Sequence, residues 1–284
     1  MRITELPDVL AALRCPHCAE PLSAVGMLLR CANSHSFDLA RQGYVSLLRG
    51  DARTGTADTS AMIEARDAFL SAGHYAPIAD EVTRMVSESL ADGPDGIIAE
   101  VGSGTAYYLA TTLDALPGRS GVALDISKPA LRRAVRVHDR IGAVACDVWS
   151  GLPLASGSVA AVLDVFSPRN VAEMARVLAP GGVLVVVTPA ASHLRELIAA
   201  LGLLSVDERK PERLDAQLSE QFTRASTTEV GRPMRLSHVE VAALAGMGPS
   251  AWHTDAEALA TAIGRLPEPA EVTMAVTVSA YRAL

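Results

Sequence analysis

The stretch Glu100-Val-Gly102-Ser-Gly104-Thr-Ala106 decides the fold of this chain. It follows a short apolar run at 97–101 and precedes a helical pattern at 105–116, so it predicts a tight turn between a strand and a helix. Glycine in such a turn lets the backbone approach a ligand closely. The dinucleotide fingerprint G-x-G-x-x-G needs a third glycine at position 107, where this sequence has Tyr107. The turn therefore predicts a nucleoside ligand of another kind.

Strands and helices alternate from this turn towards the C-terminus. Near-continuous apolar runs predict strands at 121–125, 143–146, 159–166 and 183–188, and helical patterns separate these runs. Strands that are apolar on both faces belong to a parallel sheet that helices cover on both sides. The sequence therefore predicts an α/β, Rossmann-like fold with a mainly parallel sheet, to which an alternating pattern at 271–281 adds a late strand.

Acidic residues follow three of the predicted strands. Asp125 lies 21 residues beyond Gly104, where a carboxylate accepts from the ribose hydroxyls of a nucleoside, and Asp147 is expected to accept from the adenine amino group. Taken singly, each acid fits a surface residue or a helix cap equally well. Together, at the carboxyl ends of successive strands, they indicate an adenosine site. Asp164 ends the fourth strand and is the candidate catalytic group, although burial or capping explains it equally well.

The turn resembles motif I of class I S-adenosylmethionine-dependent methyltransferases, E/D-x-G-x-G-x-G, with Ala106 in place of the last glycine. The segment Leu178-Ala-Pro-Gly-Gly182, before the predicted fifth strand, is also typical of that class. The resemblance implies S-adenosylmethionine as the cofactor, with Glu100, Gly102 and Gly104 among the residues that bind it.

A second motif lies near the N-terminus. Cys15-Pro-His-Cys18 is followed by twelve residues and then by Cys31-Ala-Asn-Ser-His35, which gives the spacing C-x2-C-x12-C-x3-H. Cys3His is a standard ligand set for structural zinc, and a segment this short needs such a crosslink in order to fold. We therefore expect Cys15, Cys18, Cys31 and His35 to bind one Zn²⁺ ion. Buried free cysteines are the alternative, and His17 is a weak substitute for His35.

Composition and charge limit the classes of function. Apolar residues make up 49% of the 284 residues, which allows a sizeable core, and no apolar run is long enough to cross a bilayer. The N-terminus carries no secretory signal, so we expect a cytoplasmic protein without a membrane partner. The net charge of −7 counts against a nucleic-acid partner, but residues 1–53 hold six arginines and five acidic residues, a net of +1. The fourth cysteine, Cys146, falls on a predicted strand and is expected to be a core thiol.

Two longer segments resemble one methyltransferase family. They are Cys31-Ala-Asn-Ser-His35-Ser-Phe37-Asp38-Leu-Ala-Arg-Gln-Gly43-Tyr44-Val-Ser-Leu-Leu48 and Glu64-Ala-Arg66-Asp-Ala-Phe69-Leu-Ser-Ala-Gly73-His74-Tyr75-Ala-Pro77. Both resemble the 23S rRNA (guanine-N1)-methyltransferases, and the similarity covers nearly the whole chain. The resemblance implies methyl transfer to N1 of a guanine in a 23S rRNA hairpin near the peptide exit tunnel. The segment Asp164-Val-Phe-Ser-Pro-Arg-Asn170 looks closer to the branch associated with resistance to tylosin and related mycinosylated macrolides.

The family resemblance also implies site residues and domains. Cofactor contacts of the family fall on Tyr75, Tyr108, Leu109 and His193, and the family suggests a homodimer. Three domains are expected. A zinc-binding, RNA-recognition module spans 1–50, a linker with a connecting helix spans 51–76, and a methyltransferase domain spans 77–284. The zinc module and the polar region at 205–236 are the expected walls of an RNA cleft.

Two other functions fit parts of the sequence. The acidic net charge fits a small-molecule methyltransferase, but an enzyme with a small substrate needs no zinc module to bind RNA. A non-catalytic RNA-binding protein that retains the fold fits the zinc module, but it needs no intact Gly102, Gly104 and Asp125. Methyl transfer to ribosomal RNA, to metabolites or to neither distinguishes the three.

Overall fold

The computed structural model describes residues 3–52, 55, 57–202, 216–248 and 255–284. Its strands, in chain order, are β1 (Leu22–Val25), β2 (Leu28–Cys31), β3 (Ser36–Asp38), β4 (Val45–Ser46), β5 (Ile97–Val101), β6 (Gly121–Asp125), β7 (Ile141–Ala145), β8 (Val159–Val165), β9 (Leu178–Pro189), β10 (Phe222–Leu236) and β11 (Ala270–Ala283). Its α-helices are α1 (Pro7–Ala12), α2 (Ser60–Ser71), α3 (Ala76–Leu90), α4 (Tyr107–Ala115), α5 (Lys128–Val137), α6 (Val171–Val177), α7 (Arg195–Leu201), α8 (His238–Gly246) and α9 (Ala256–Ile263).

A mixed sheet in the order β10-β11-β9-β8-β5-β6-β7-β4 forms the centre of the described fold. The strands from β9 to β4 are parallel, whereas β10 and β11 are antiparallel to their neighbours. Every residue of β5, β6, β7 and β8 is buried, because helices cover both faces of the sheet. The predicted fold class is confirmed.

The strand register brings the candidate residues to one edge of the sheet. Val101, the last residue of β5, pairs with Leu124 on one side and with Asp164 on the other. The chain leaves β5 for β6 on one side, while β8 returns on the opposite side, so a crevice opens beyond the carboxyl ends of these strands. Ligands of open α/β sheets bind at such a switch point.

The clearest differences from the sequence-based boundaries are at β9 and α4, while β7 begins two residues earlier than expected, at Ile141. The predicted strand at 183–188 begins earlier, at Leu178, and the Pro180-Gly181-Gly182 residues bulge out between the pairs Val159–Leu178 and Ala161–Val183. The predicted helix at 105–116 begins only at Tyr107, because Ala106 has a left-handed backbone. Of the polar region at 205–236, residues 205–215 lie outside the described residues, and the rest includes the long strand β10.

The N-terminal segment contributes to the central sheet as well as to a small sheet of its own. Strands β1, β2 and β3 form an antiparallel three-stranded sheet, while β4 pairs in parallel with β7. Between β7 and β8 the chain forms only a short 3₁₀ turn, at Val148–Ser150. The N-terminal residues cover this part of the sheet instead, since Ile3 and Val9 lie within 3.0 Å of a Cβ built on Gly142. The predicted domain boundaries stay a prediction.

The described helices are all too short or too polar to cross a membrane.

Candidate cofactor and zinc sites

The glycine loop, residues 102–106, needs its glycines for two separate reasons. Gly102, Gly104 and Ala106 all have left-handed backbones, with φ of +61°, +53° and +59°. A Cβ on Gly102 would lie 2.5 Å from Cβ of Ser167, so a side chain there clashes as well as being strained. Alanine at 106 has no such freedom and stores backbone strain of about 1–2 kcal/mol. The loop is thus held in one conformation beside the carboxyl end of β5.

Two buried acids support this loop. The Leu109 N–H donates to Oε2 of Glu100 at 3.2 Å, and the Gly104 N–H donates to Oδ2 of Asp125 at 2.7 Å. The other oxygen of Asp125 accepts from the Ser127 N–H at 2.7 Å. Burial raises the pKa of Glu100 to about 8 and also raises the pKa of Asp125 above its ordinary value. Both acidic side chains therefore organise the loop, and a direct ribose contact from Asp125 stays a prediction.

Asp147 lies two residues beyond the end of β7 and caps the following 3₁₀ turn. Its Oδ1 accepts from the Trp149 N–H at 3.0 Å, and its Oδ2 accepts from Oγ of Ser150 at 2.9 Å. In the structure, Asp147 therefore acts as a cap, which is one of the two roles that the sequence left open. Its predicted contact to adenine stays a prediction.

Tyr75 and His193 meet through their polar atoms. Oη of Tyr75 lies 3.2 Å from Nε2 of His193, and the Ala275 N–H donates to Nδ1 of His193 at 3.2 Å. Burial lowers the pKa of His193 to about 4, so the ring is neutral at pH 7. Because Nδ1 accepts, we assign the single ring proton to Nε2, which donates to Tyr75. The Tyr75 hydroxyl proton is then available to a ligand.

Phe166 completes this aromatic group, and the sequence reasoning missed it. Its ring centroid lies 6.0 Å from that of His193, with the planes 23° apart, and 6.3 Å from that of Tyr75. The residue has φ of +54° and is 41% exposed, although it directly follows the buried strand β8. A large residue held in the left-handed region while its ring faces outwards is a strained arrangement that clusters at functional sites, which makes Phe166 a candidate site residue. An aromatic residue two positions after a candidate catalytic acid was the signal available in the sequence.

Asp164 is buried beside a single guanidinium. Its Oδ1 lies 2.9 Å from Nη2 of Arg169, and its side chain has no exposed surface. Burial raises the pKa of Asp164 to about 7, and the positive charge of Arg169 opposes that shift. Ser167 lies against the carboxyl group as well and, like Arg169, favours its charged form. The site thus holds a buried acid whose pKa is raised towards neutrality beside one counterion.

Helix α4 carries two of the cofactor contacts that the family resemblance implies, and the structure buries both residues in the core. Leu109 is completely buried and packs against Gly121, and its N–H is taken by Glu100. Tyr108 is buried, which raises its pKa well above the ordinary value, and its ring packs edge-on against Tyr107. The cofactor contacts of Tyr108 and Leu109 stay predictions.

The four expected zinc ligands converge. Sγ of Cys18 and Cys31 are 3.7 Å apart, and Nδ1 of His35 lies 3.5, 3.5 and 3.4 Å from Sγ of Cys15, Cys18 and Cys31. A tetrahedral zinc ion with bonds of about 2.3 Å to sulfur and about 2.0 Å to nitrogen requires S–S separations of about 3.8 Å and S–N separations of about 3.5 Å. The site fits structural Zn²⁺, with four protein ligands and no open position.

The other nearby candidates lie outside this cluster. The His17 ring stacks on Phe37, with centroids 6.0 Å apart and planes 12° apart, and it does not belong to the group that converges. Cys146 is buried directly after β7, and burial raises the pKa of its thiol. Its expected place in the core is as predicted.

The strand order, the strained glycine loop and the buried acid beneath it define a class I S-adenosylmethionine-dependent methyltransferase. The sequence profile described as "Methyltransferase domain" matches residues 99–186, and the zinc-ribbon profile described as "RlmA, N-terminal" matches residues 13–52. The first profile covers the glycine loop and Asp125, and the second covers the four zinc ligands.

Known relatives match the chain over nearly its full length. The 23S rRNA (guanine(748)-N(1))-methyltransferase of Streptomyces fradiae is 44% identical, over 98% of this chain and 99% of the relative. A Micromonospora griseorubida protein is 47% identical, over 97% and 99%, and is named provisionally as a 23S rRNA (guanine-N1)-methyltransferase. A Bacillus subtilis protein with the same provisional name is 28% identical, over 84% and 86%. The chain belongs to the 23S rRNA (guanine-N1)-methyltransferase family.

Proposed function

We propose that this protein transfers a methyl group from S-adenosylmethionine to N1 of a guanine in 23S rRNA. The observation that carries the proposal is the full-length similarity to a relative named for that reaction, which includes both the zinc ribbon and the methyltransferase domain. The target is the guanine that corresponds to guanine 748 in the name of the Streptomyces fradiae protein. Its place in a hairpin near the peptide exit tunnel belongs to the same proposal.

The carboxyl edge of the sheet has groups that suit this chemistry. The cofactor supplies an electrophilic methyl group, so the protein has to align the acceptor atom and remove its proton. Phe166 offers an exposed ring on which an unstacked base can lie. Asp164, one residue before the end of β8, is buried beside Arg169 and its pKa is raised to about 7, so a base has to enter its pocket to reach it. We assign Asp164 the role of proton acceptor for guanine N1, with Arg169 as its counterion.

A cleft between the zinc module and the sheet offers a path for RNA. It has a volume of about 830 Å³, and its lining includes His17, Arg49 and Asp147. Arg14 also lines it, with a guanidinium that donates to the uncharged carbonyls of Ala11 and Leu13, whereas the half-exposed Arg49 pairs with Asp51 at 3.7 Å. A focused positive group of this kind attracts phosphate even though the whole chain carries −7. RNA binding should therefore weaken with added salt, with the small slope of a few phosphate contacts.

Methyl transfer from labelled cofactor tests the proposal against its alternatives. We expect label in 23S rRNA and in its isolated hairpin, and none in a panel of small metabolites. Label in a metabolite alone would identify a small-molecule methyltransferase. RNA binding without label in any acceptor would identify a non-catalytic RNA-binding protein. Asp164→Asn should abolish transfer while S-adenosylhomocysteine binding persists.

The biological role that we propose is resistance to tylosin and related mycinosylated macrolides. The support is the family resemblance of the segment 164–170. Expression of the active protein in a sensitive host should raise the inhibitory concentration of tylosin, and the Asp164→Asn variant should not. The expected homodimer and cytoplasmic location remain predictions.

A further inference from the structure

Arg66 lies directly against the glycine loop. Helix α2 presents it there, and a Cβ built on Gly104 would lie 2.7 Å from Nη1 and 3.4 Å from Cδ of the arginine. Nη1 forms an ion pair with Oδ2 of Asp58 at 2.6 Å, and Nη2 donates to the carbonyl of Met247 at 3.0 Å. The guanidinium is thus fixed at the cofactor site by one carboxylate and one carbonyl.

Asp58 is itself held beside the same loop. Its backbone carbonyl accepts from Oγ of Ser127 at 2.7 Å, and Ser127 also donates its N–H to Asp125. The side chains of Asp58 and Arg66 are 23% and 25% exposed, so the ion pair is not sealed from solvent. The Asp58 carboxylate therefore already pairs with the Arg66 guanidinium, beside the loop where a ligand would bind.

The charges around the loop define what this guanidinium is suited to bind. Glu100 and Asp125 are acidic, and the positive charge of Arg66 opposes the rise that burial causes in the pKa of each. S-adenosylmethionine carries positive sulfonium and ammonium groups, and its α-carboxylate is its one negative group. A guanidinium matches a carboxylate with two parallel, charge-assisted hydrogen bonds.

We propose that Arg66 binds the α-carboxylate of S-adenosylmethionine and that the Asp58 carboxylate competes with the cofactor for this guanidinium. The proposal rests on the cofactor assignment within the proposed function. It adds a cofactor-binding residue to those expected from the sequence, and it gives the linker segment before α2 a part in cofactor affinity.

Calorimetric titration with two cofactors isolates the carboxylate. Decarboxylated S-adenosylmethionine keeps the sulfonium and the amine and lacks only that group. Arg66→Gln should weaken S-adenosylmethionine binding by about 10- to 100-fold, and decarboxylated cofactor by less than about threefold. Arg66→Lys, which keeps the charge but loses the fork of donors, should fall between the wild type and Arg66→Gln. Equal losses for the two cofactors, or no loss for either, would overturn the assignment.

Two further variants complete the test. Asp58→Asn should tighten S-adenosylmethionine by about three- to tenfold and leave the decarboxylated cofactor unchanged, because it removes the competing charge. Unchanged or weaker S-adenosylmethionine binding would contradict the competition. Arg133→Gln is the matched control, since Arg133 pairs with Asp67 of α2 at 3.3 Å on the exposed surface. Its affinities should equal those of the wild type. No RNA is present, so failure here is distinguishable from failure of the rRNA assignment.

Discussion

Replacing Asp125 tests two roles of this carboxylate separately: its support of the glycine loop and its contact with the ribose of the cofactor. Each oxygen of this buried carboxylate accepts one backbone N–H at 2.7 Å, from Gly104 and from Ser127. Asp125→Asn keeps one acceptor and leaves one N–H unpaired, which should lower the free energy of unfolding by about 1–3 kcal/mol. Asp125→Ala leaves both unpaired and should cost about 2–4 kcal/mol. Alanine also removes the acceptor for ribose, so S-adenosylhomocysteine should bind about 10- to 100-fold more weakly.

Urea unfolding, with and without S-adenosylhomocysteine, measures both effects on the same variants. Asp147→Asn is the control for stability alone, measured without ligand because Asp147 is itself a predicted adenine contact; that carboxylate caps a partly exposed 3₁₀ turn, and its replacement should cost about 1 kcal/mol or less. If Asp125→Ala is no less stable than Asp125→Asn, or no less stable than the control, the loop-support argument is wrong. If the affinity of the alanine variant is unchanged, the ribose contact is wrong.

Zinc, acid and base stacking provide further tests. One zinc ion per chain is expected, and chelation should make the three thiols of Cys15, Cys18 and Cys31 reactive at once while buried Cys146 stays slow. Absence of zinc, with those three thiols titrating freely before any chelation, would exclude the site. Burial lowers the pKa of His193 from about 6.5 in the unfolded chain to about 4 in the folded protein. The free energy of unfolding should therefore keep its full contribution from this neutral ring above pH 6.5 and should fall by about 3 kcal/mol as the pH drops towards 4. His193→Gln should flatten that dependence, and parallel stability curves would refute it. Phe166→Ala should lower kcat/KM for RNA by about 10- to 100-fold without changing S-adenosylhomocysteine affinity, while Phe166→Tyr retains activity; an equal loss in both variants would refute stacking.

The parts of the fold and the sites that the sequence predicted depend on local patterns. Buried parallel strands are apolar throughout, so β5, β6 and β8 appear in the sequence within a residue or so of their true bounds. The zinc ligands follow from their spacing alone, because four such side chains within a short segment have few other uses. The sequence left open which nitrogen of His35 faces the thiols, and the structure assigns Nδ1.

The remaining features depend on contacts between distant segments. Nothing in the local sequence shows that Ile3 and Val9 pack on the face of β7 at Gly142, since that packing joins residues more than 130 positions apart. Arg66 reads as a surface residue of a helix until the fold brings it against Gly104. Phe166 reads as the end of an apolar strand, and only its left-handed backbone turns the ring outwards. Tertiary geometry, and not residue type, gives these side chains their roles.

Mapping the methylated atom tests the central claim most directly. A methyl group on guanine N1 blocks the Watson–Crick edge, so reverse transcription of 23S rRNA treated with this protein and S-adenosylmethionine should stop at one guanine, the counterpart of guanine 748. Mass spectrometry of that fragment should show 1-methylguanine, and the Asp164→Asn protein should produce neither signal. A methyl group found on another atom, another base or another RNA would contradict the account.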